Sequence, residues 1–120
     1  MKKILVADDK ASSRELVRTV LEHAGYEVFE AADGAEAVEQ ARAVQPDLIF
    51  LDLQMPALDG FGVIGKLREE ERFQSVPIVA LTANAMQGDE EKAITAGFSG
   101  YITKPLRLPF LRSEVERLLG

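Results

Sequence analysis

Four short apolar runs in this chain each end in a polar residue able to handle a metal or a phosphate. Ile4-Leu5-Val6-Ala7 leads into Asp8-Asp9, and Leu48-Ile49-Phe50-Leu51 leads into Asp52. Ile78-Val79-Ala80-Leu81 leads into Thr82, and Tyr101-Ile102-Thr103 into Lys104-Pro105. If the runs are parallel strands of one sheet, these residues gather at its carboxyl edge, where open α/β sheets hold their ligands. Three carboxylates, a hydroxyl and an ammonium in one crevice suit a divalent cation and a phosphoryl group.

Each residue also has a plainer reading. Asp8 and Asp9 repel each other unless a cation sits between them, and magnesium, which takes oxygen ligands and keeps several waters, is the natural choice. The alternative is a helix cap plus a solvated charge. A carboxylate at the mouth of a buried strand is costly unless paired, so Asp52 reads as a nucleophile that accepts a phosphoryl group; otherwise it is a turn residue leading to Pro56. Lys104 can pair with Asp52 at rest and with a phosphoryl oxygen afterwards; otherwise it is a surface lysine in a turn. A cis Lys104-Pro105 bond would aim the ammonium inward. Cis bonds are only about 5–6% of X-Pro bonds in folded proteins, which leaves the isomer open. The Thr82 hydroxyl can donate to a phosphoryl oxygen, and the Tyr101 ring on a neighbouring strand can fill the space that Thr82 vacates, the two halves of a switch. The alternatives are a β-branched strand residue and a core aromatic with its hydroxyl at the surface. His23, the single histidine, falls near a helix C-terminus, away from the sheet mouth, and is assigned no role.

Segments of helical period separate the runs. Leu16, Val17, Val20, Leu21 and Ala24 form one stripe, stopped by Gly25. Glu27 to Ala31 is a short strand candidate. Asp33 can cap the next helix with Glu36 three residues on, as in a capping box; that helix carries Ala37, Val38, Ala41 and Val44 and ends before Pro46. A third helix follows Asp59-Gly60 with Phe61, Ile64 and Leu67 inward. Gly62 and Gly65 inside it cost roughly 1 kcal/mol each relative to alanine, so it should be the least stable helix unless the glycines allow close packing. A fourth spans Gln87 to Ala96, stopped by Gly97. The last begins near Pro109 and buries Leu111, Val115, Leu118 and Leu119. Five β-α repeats imply a parallel sheet with helices on both faces, and continuous apolar runs are what doubly covered strands look like.

Bulk properties agree. The 120 residues suit one domain, read as 1–120, and 47% apolar content suffices for a core. A net charge of −6 disfavours direct nucleic-acid binding. The absence of cysteine excludes disulfides, zinc-thiolate sites and thiol catalysis. The apolar start breaks at Asp8, too soon for a signal peptide or membrane span, so a cytoplasmic protein is expected.

Taken in order, Asp8-Asp9, Asp52 with Met55-Pro56 and Asp59-Gly60, Thr82-Ala83, and Lys104-Pro105 resemble the motif set of the receiver domain of two-component response regulators, over essentially the whole chain. The stretch IVALTANAM from Ile78 to Met86 looks most like receivers of hybrid sensor kinases and single-domain regulators. The resemblance implies a flavodoxin-like, doubly wound sheet of five parallel strands in order 2-1-3-4-5 with five helices. It implies that Asp52 attacks the phosphorus of a phosphohistidine on a sensor histidine kinase or a histidine phosphotransfer protein. Asp9, Asp52 and the backbone carbonyl of Gln54 would bind magnesium directly, and Asp8 through water. Thr82, Lys104 and the backbone amide of Ala83 would contact the phosphoryl group. Gln54 and Asn84 occupy the positions that flank the path of attacking water in the family, and should tune phosphoryl lifetime. Phosphorylation should reshape a face made of the fourth helix, fifth strand and fifth helix, on which a downstream protein docks.

Two other functions compete. A magnesium-dependent phosphatase with an aspartyl nucleophile lacks support, because Leu53-Gln54 stands where a second carboxylate is expected and so short a chain holds no cap domain. An interaction module that no longer takes phosphate is disfavoured by the intact acidic pair, Asp52, Thr82 and Lys104. A receiver therefore would phosphorylate and dephosphorylate itself and turn over no external metabolite. With nothing after Gly120, the chain is expected to be a single-domain regulator, favoured by its Met1-Lys2-Lys3 start, or a domain cut from a hybrid kinase.

Overall fold

The computed structural model describes residues 1–83 and 88–119. Its elements alternate: β1 (Lys3–Ala7), α1 (Ala11–His23), β2 (Glu27–Ala31), α2 (Gly34–Val44), β3 (Leu48–Asp52), α3 (Gly60–Arg68), a 3-10 turn (Glu71–Phe73), β4 (Ile78–Thr82), α4 (Asp89–Ala96), β5 (Gly100–Thr103) and α5 (Leu108–Leu119). The strands form one parallel sheet in the order β2-β1-β3-β4-β5, the expected doubly wound topology.

Alternation along the strands divides the core in two. Leu5, Ala7, Ile49, Leu51, Ile78 and Ala80 face α2, α3 and α4, through Ala37, Ala41, Val63, Ile64, Leu67 and Ala93. Ile4, Val6, Leu48, Phe50, Val79 and Leu81 face α1 and α5, through Val17, Leu21, Leu111 and Val115. β3 and β4 are buried at every position, which is why their sequences read as unbroken apolar runs.

The helices depart from their sequence reading in instructive places. Leu16 is 40% exposed, because α1 turns only a narrow stripe centred on Val17 and Leu21 to the sheet. Ala24 lies past the end of α1 and is exposed. The Asp33 carboxylate caps α2 by accepting from the Glu36 N–H at 2.8 Å, while the Glu36 carboxylate reaches the N–H of Ala32, one residue beyond a standard capping box, at 2.9 Å. In α5, which starts at Leu108, Leu118 and Leu119 are half-buried. Gln87, the expected first residue of the fourth helix, lies outside the described residues; α4 is described from Asp89.

The two glycines of α3 are not equivalent. A Cβ at Gly62 would collide with the Leu58 side chain, whereas at Gly65 it would meet open space. Gly62 therefore lets the preceding loop pack onto the helix, and Gly65 carries only its propensity cost. Gly65→Ala is expected to add about 1 kcal/mol of stability, raising the melting temperature by about 3–5 °C, while Gly62→Ala gives no comparable gain. Thermal melts decide this; a Gly65→Ala chain melting at or below the parent contradicts it.

Candidate metal and phosphoryl site

Strands β1, β3, β4 and β5 are contiguous, so their carboxyl ends meet at one edge. β1 ends at Ala7, and the next residue, Asp8, still pairs with the sheet by donating its N–H to the Ala31 carbonyl at 3.0 Å. The Asp8 side chain is fully buried. Its Oδ1 accepts the Lys10 N–H at 2.9 Å. The residue preceding α1 is Lys10, which makes no side-chain cap, so neither aspartate serves as the helix cap that sequence alone allowed. Asp9 is exposed beside it.

Asp52 closes β3 and is buried. Its Oδ1 accepts the Gln54 N–H at 2.8 Å. The loop that follows is pressed against the start of α3. A Cβ at Gly60 would lie 2.7 Å from the Asp52 carbonyl oxygen and 2.9 Å from Leu53 Cα, so only glycine lets the helix approach this closely. The Asp59 carboxylate caps α3 by accepting the Gly62 N–H at 2.9 Å.

Lys104 completes the cluster. Its Nζ donates to Asp8 Oδ2 at 2.7 Å and to Asp52 Oδ2 at 3.0 Å, in surroundings that leave the lysine side chain 12% exposed. The Lys104-Pro105 peptide is cis. The Lys104 N–H donates to the Thr82 carbonyl at 2.7 Å, tying the end of β5 to the end of β4.

The electrostatics favour an added cation. Burial is the largest influence on Asp52 and pushes its carboxyl up, aided by the charge of Asp8; the Gln54 N–H and the Lys104 ammonium pull the other way without cancelling it. Burial alone would lower Lys104, but its hydrogen bonds to Asp8 and Asp52 outweigh that and hold the ammonium above its ordinary value. Three carboxylates thus lie with oxygens within 4.8 Å of one another, and two of them, Asp8 and Asp52, share a single ammonium. A hard, oxygen-only donor set of this kind fits magnesium.

Thr82 is buried at the end of β4, and Ala83 beyond it is exposed. Ala80 pairs with Tyr101 and Thr82 with Thr103, so Thr82 and Tyr101 occupy the same face of the sheet, one diagonal step apart. The Tyr101 ring packs against the core under α2, α3 and α4. Its hydroxyl is not at the surface: it is buried, with no hydrogen-bond partner among the described residues. Burial, then the charges of Asp89 and Glu90, raise its pKa. Next to it lies a cavity of about 580 Å³ lined in part by Glu90, Tyr101, Lys104, Arg107 and Phe110. Gln54 is exposed at the mouth. Asn84 lies outside the described residues, and His23 is exposed at the end of α1.

One neighbour of the site escaped the sequence reading. Arg14, on the first turn of α1, donates from Nη1 to the Asp8 carbonyl at 2.7 Å and from Nε to Glu30 at 3.0 Å. One of two arginines on an amphipathic helix, Arg14 carries no local signal of such a role.

A doubly wound parallel sheet that gathers three aspartates and a lysine at its carboxyl edge defines an α/β domain with a site suited to a divalent cation and a phosphoryl group. The family model described as response regulator receiver domain matches residues 4–116, and the chain belongs to that family. It is 35% identical over 119 residues to the polar-differentiation response regulator DivK of Brucella ovis, covering 99% of this chain and 97% of the relative. Among solved structures it resembles the chemotaxis response regulator CheY4 of Vibrio cholerae, with a TM-score of 0.92 and 33% identity over 98% of each chain. It also resembles the receiver domain of the sensor histidine kinase PA1611 of Pseudomonas aeruginosa, a structure with a magnesium ion coordinated in its active-site cleft. That likeness has a TM-score of 0.90 and 36% identity over 99% of this chain and 98% of the other.

Proposed function

We propose that this receiver takes a phosphoryl group onto Asp52 from a phosphohistidine on a sensor histidine kinase or histidine phosphotransfer protein, and that the modification reshapes a protein-docking face. The observation that carries the reading is the buried Asp52 carboxylate, hydrogen-bonded to Lys104 and within 4.8 Å of the carboxylates of Asp8 and Asp9. In the transfer an Asp52 oxygen forms a bond to phosphorus as the phosphorus–nitrogen bond breaks, and the imidazole nitrogen keeps the electron pair. Lys104 moves its hydrogen bond from the Asp52 carboxylate to a phosphoryl oxygen. The Thr82 hydroxyl and the Ala83 N–H donate to the others. Asp9, Asp52 and the Gln54 carbonyl would hold magnesium, with Asp8 joined through water; bound there, it would supply positive charge to offset that of the phosphoryl group. The same residues catalyse the loss of the phosphoryl group to water, and no external metabolite is turned over. No helix among the described residues is long and apolar enough to cross a membrane.

The output face is α4, β5 and α5. A phosphoryl oxygen that draws the Thr82 hydroxyl toward it changes the packing of the Tyr101 ring on the same face of the sheet, a shift between two arrangements of one fold. Gln54 at the mouth, and Asn84, set how readily water reaches the phosphoryl group.

Incubation with phosphoramidate and magnesium is expected to add one phosphoryl group by intact mass, and magnesium omission to prevent it; no gain in mass overturns the reading. With beryllofluoride and magnesium, chemical-shift changes should reach Tyr101 and Phe110 and stay small at Ala37 and Ala41 in α2. Changes confined to the surroundings of Asp52 would mean that the output is read at the site mouth instead. Gln54→Ala should alter the decay of the phosphorylated chain while leaving it phosphorylatable.

A further inference from the structure

We infer that Arg14 is a positioning residue for the cation site: it fixes the peptide that joins Asp8 to Asp9, and so sets the direction in which the Asp9 carboxylate enters the cluster. The inference rests on the proposed magnesium site and extends it to a residue that touches neither ion nor phosphoryl group.

Regular sheet pairing between β1 and β2 ends with Ala7 opposite Ala31. The Asp8 N–H still finds the Ala31 carbonyl, but the Asp8 carbonyl lies beyond the ladder. Arg14 Nη1 supplies its partner, a charge-assisted hydrogen bond of 2.7 Å. That carbonyl belongs to the peptide that carries the Asp9 nitrogen, so its plane governs where Asp9 departs from the main chain.

Asp8 does not need this help, because its carboxylate is already held by the Lys10 N–H and by Lys104. Asp9 does, since its exposed side chain makes no hydrogen bond or ion pair among the described residues and takes its position from the backbone.

The guanidinium is itself fixed. Glu30 Oε1 accepts from Arg14 Nε at 3.0 Å, and Glu30 Oε2 accepts from Arg18 Nη1 at 2.7 Å. A surface ion pair is an incomplete account of Arg14: its side chain is 17% exposed against 45% for Arg18, and only Arg14 reaches the main chain of the site. Residues that orient metal ligands from behind typically contribute about 10- to 100-fold in metal affinity.

Calorimetric titration of magnesium, without phosphodonor, tests the inference on Arg14→Met, Arg14→Gln and Arg18→Met. Both Arg14 variants should bind magnesium about 10-fold or more weakly, and their phosphorylation rate should recover at saturating magnesium. Arg18→Met, which removes the other partner of Glu30, should keep the parental affinity. Thermal melts of the magnesium-free proteins establish which variants are folded; a merely structural role lowers the melting temperature and leaves the affinity unmoved. Parental affinity in a folded Arg14 variant, or equal weakening in Arg18→Met, overturns the inference while leaving the proposed function intact. Failure of the parent chain to bind magnesium overturns both.

Discussion

Asp52→Asn is expected to abolish phosphoryl incorporation from phosphoramidate, with no residual mass gain at any magnesium concentration. The amide offers no anionic oxygen to attack phosphorus, and neither Asp8 nor Asp9 can substitute: Asp8 is buried and bonded to Lys104, and Asp9 sits outside the end of β1. The same substitution should change how stability depends on pH. The Asp52 carboxyl is raised above its ordinary value of about 3.8, chiefly by burial. The folded chain therefore holds this proton more tightly than the unfolded chain, and the associated stability is full below about 3.8 and is lost as pH rises through the folded value. Without magnesium, the parent should lose this contribution as pH rises through the raised folded value, and Asp52→Asn should lack that part of the slope. Intact-mass spectrometry and melts across the acidic range provide the readouts. A labelled Asn variant would falsify the acceptor assignment.

Asp9→Ala should weaken magnesium binding by about 100-fold or more, beyond the loss typical of residues that only support a ligand. Asp8 and Asp52 share the Lys104 ammonium, whereas Asp9 adds a third carboxylate to the cluster with no paired cation among the described residues. Removing it takes away a proposed direct ligand and also relieves repulsion in the metal-free site. The magnesium-free variant should therefore melt no lower than the parent. The parent should gain about 2.7 kcal/mol at a magnesium concentration 100 times its dissociation constant, and the variant at that concentration should gain little. Calorimetric titration and paired melts with and without magnesium measure both effects. A variant that binds magnesium as tightly as the parent removes Asp9 from the site.

Much of this protein was legible in the linear chain because the signals are local. Continuous apolar runs at residues 4–7, 48–51 and 78–81 match strands covered on both faces, and helical period between them matches the helices. The Asp33 and Asp59 caps follow from residue type and position. Receiver membership followed from the order and spacing of a few short motifs, a pattern that the family match over residues 4–116 bears out.

Only the tertiary structure decided how residues far apart in the chain meet. Lys104 bonds Asp8 across a separation of 96 residues, a contact that depends on β1, β3, β4 and β5 lying side by side and in register. The cis state of Lys104-Pro105 is a choice between two isomers that the dipeptide itself does not make. The different surroundings of Gly62 and Gly65 come from Leu58 in the preceding loop, and the burial of the Tyr101 hydroxyl comes from what packs around β5. Arg14 shows the distinction most clearly. Its position on α1 follows from helical period, but its hydrogen bond to Asp8 exists because α1 folds back along β1 and β2, where Glu30 holds the guanidinium. Periodicity is set by near neighbours along the chain; the partner of a side chain is set by the packing of whole elements, which no short stretch of sequence contains.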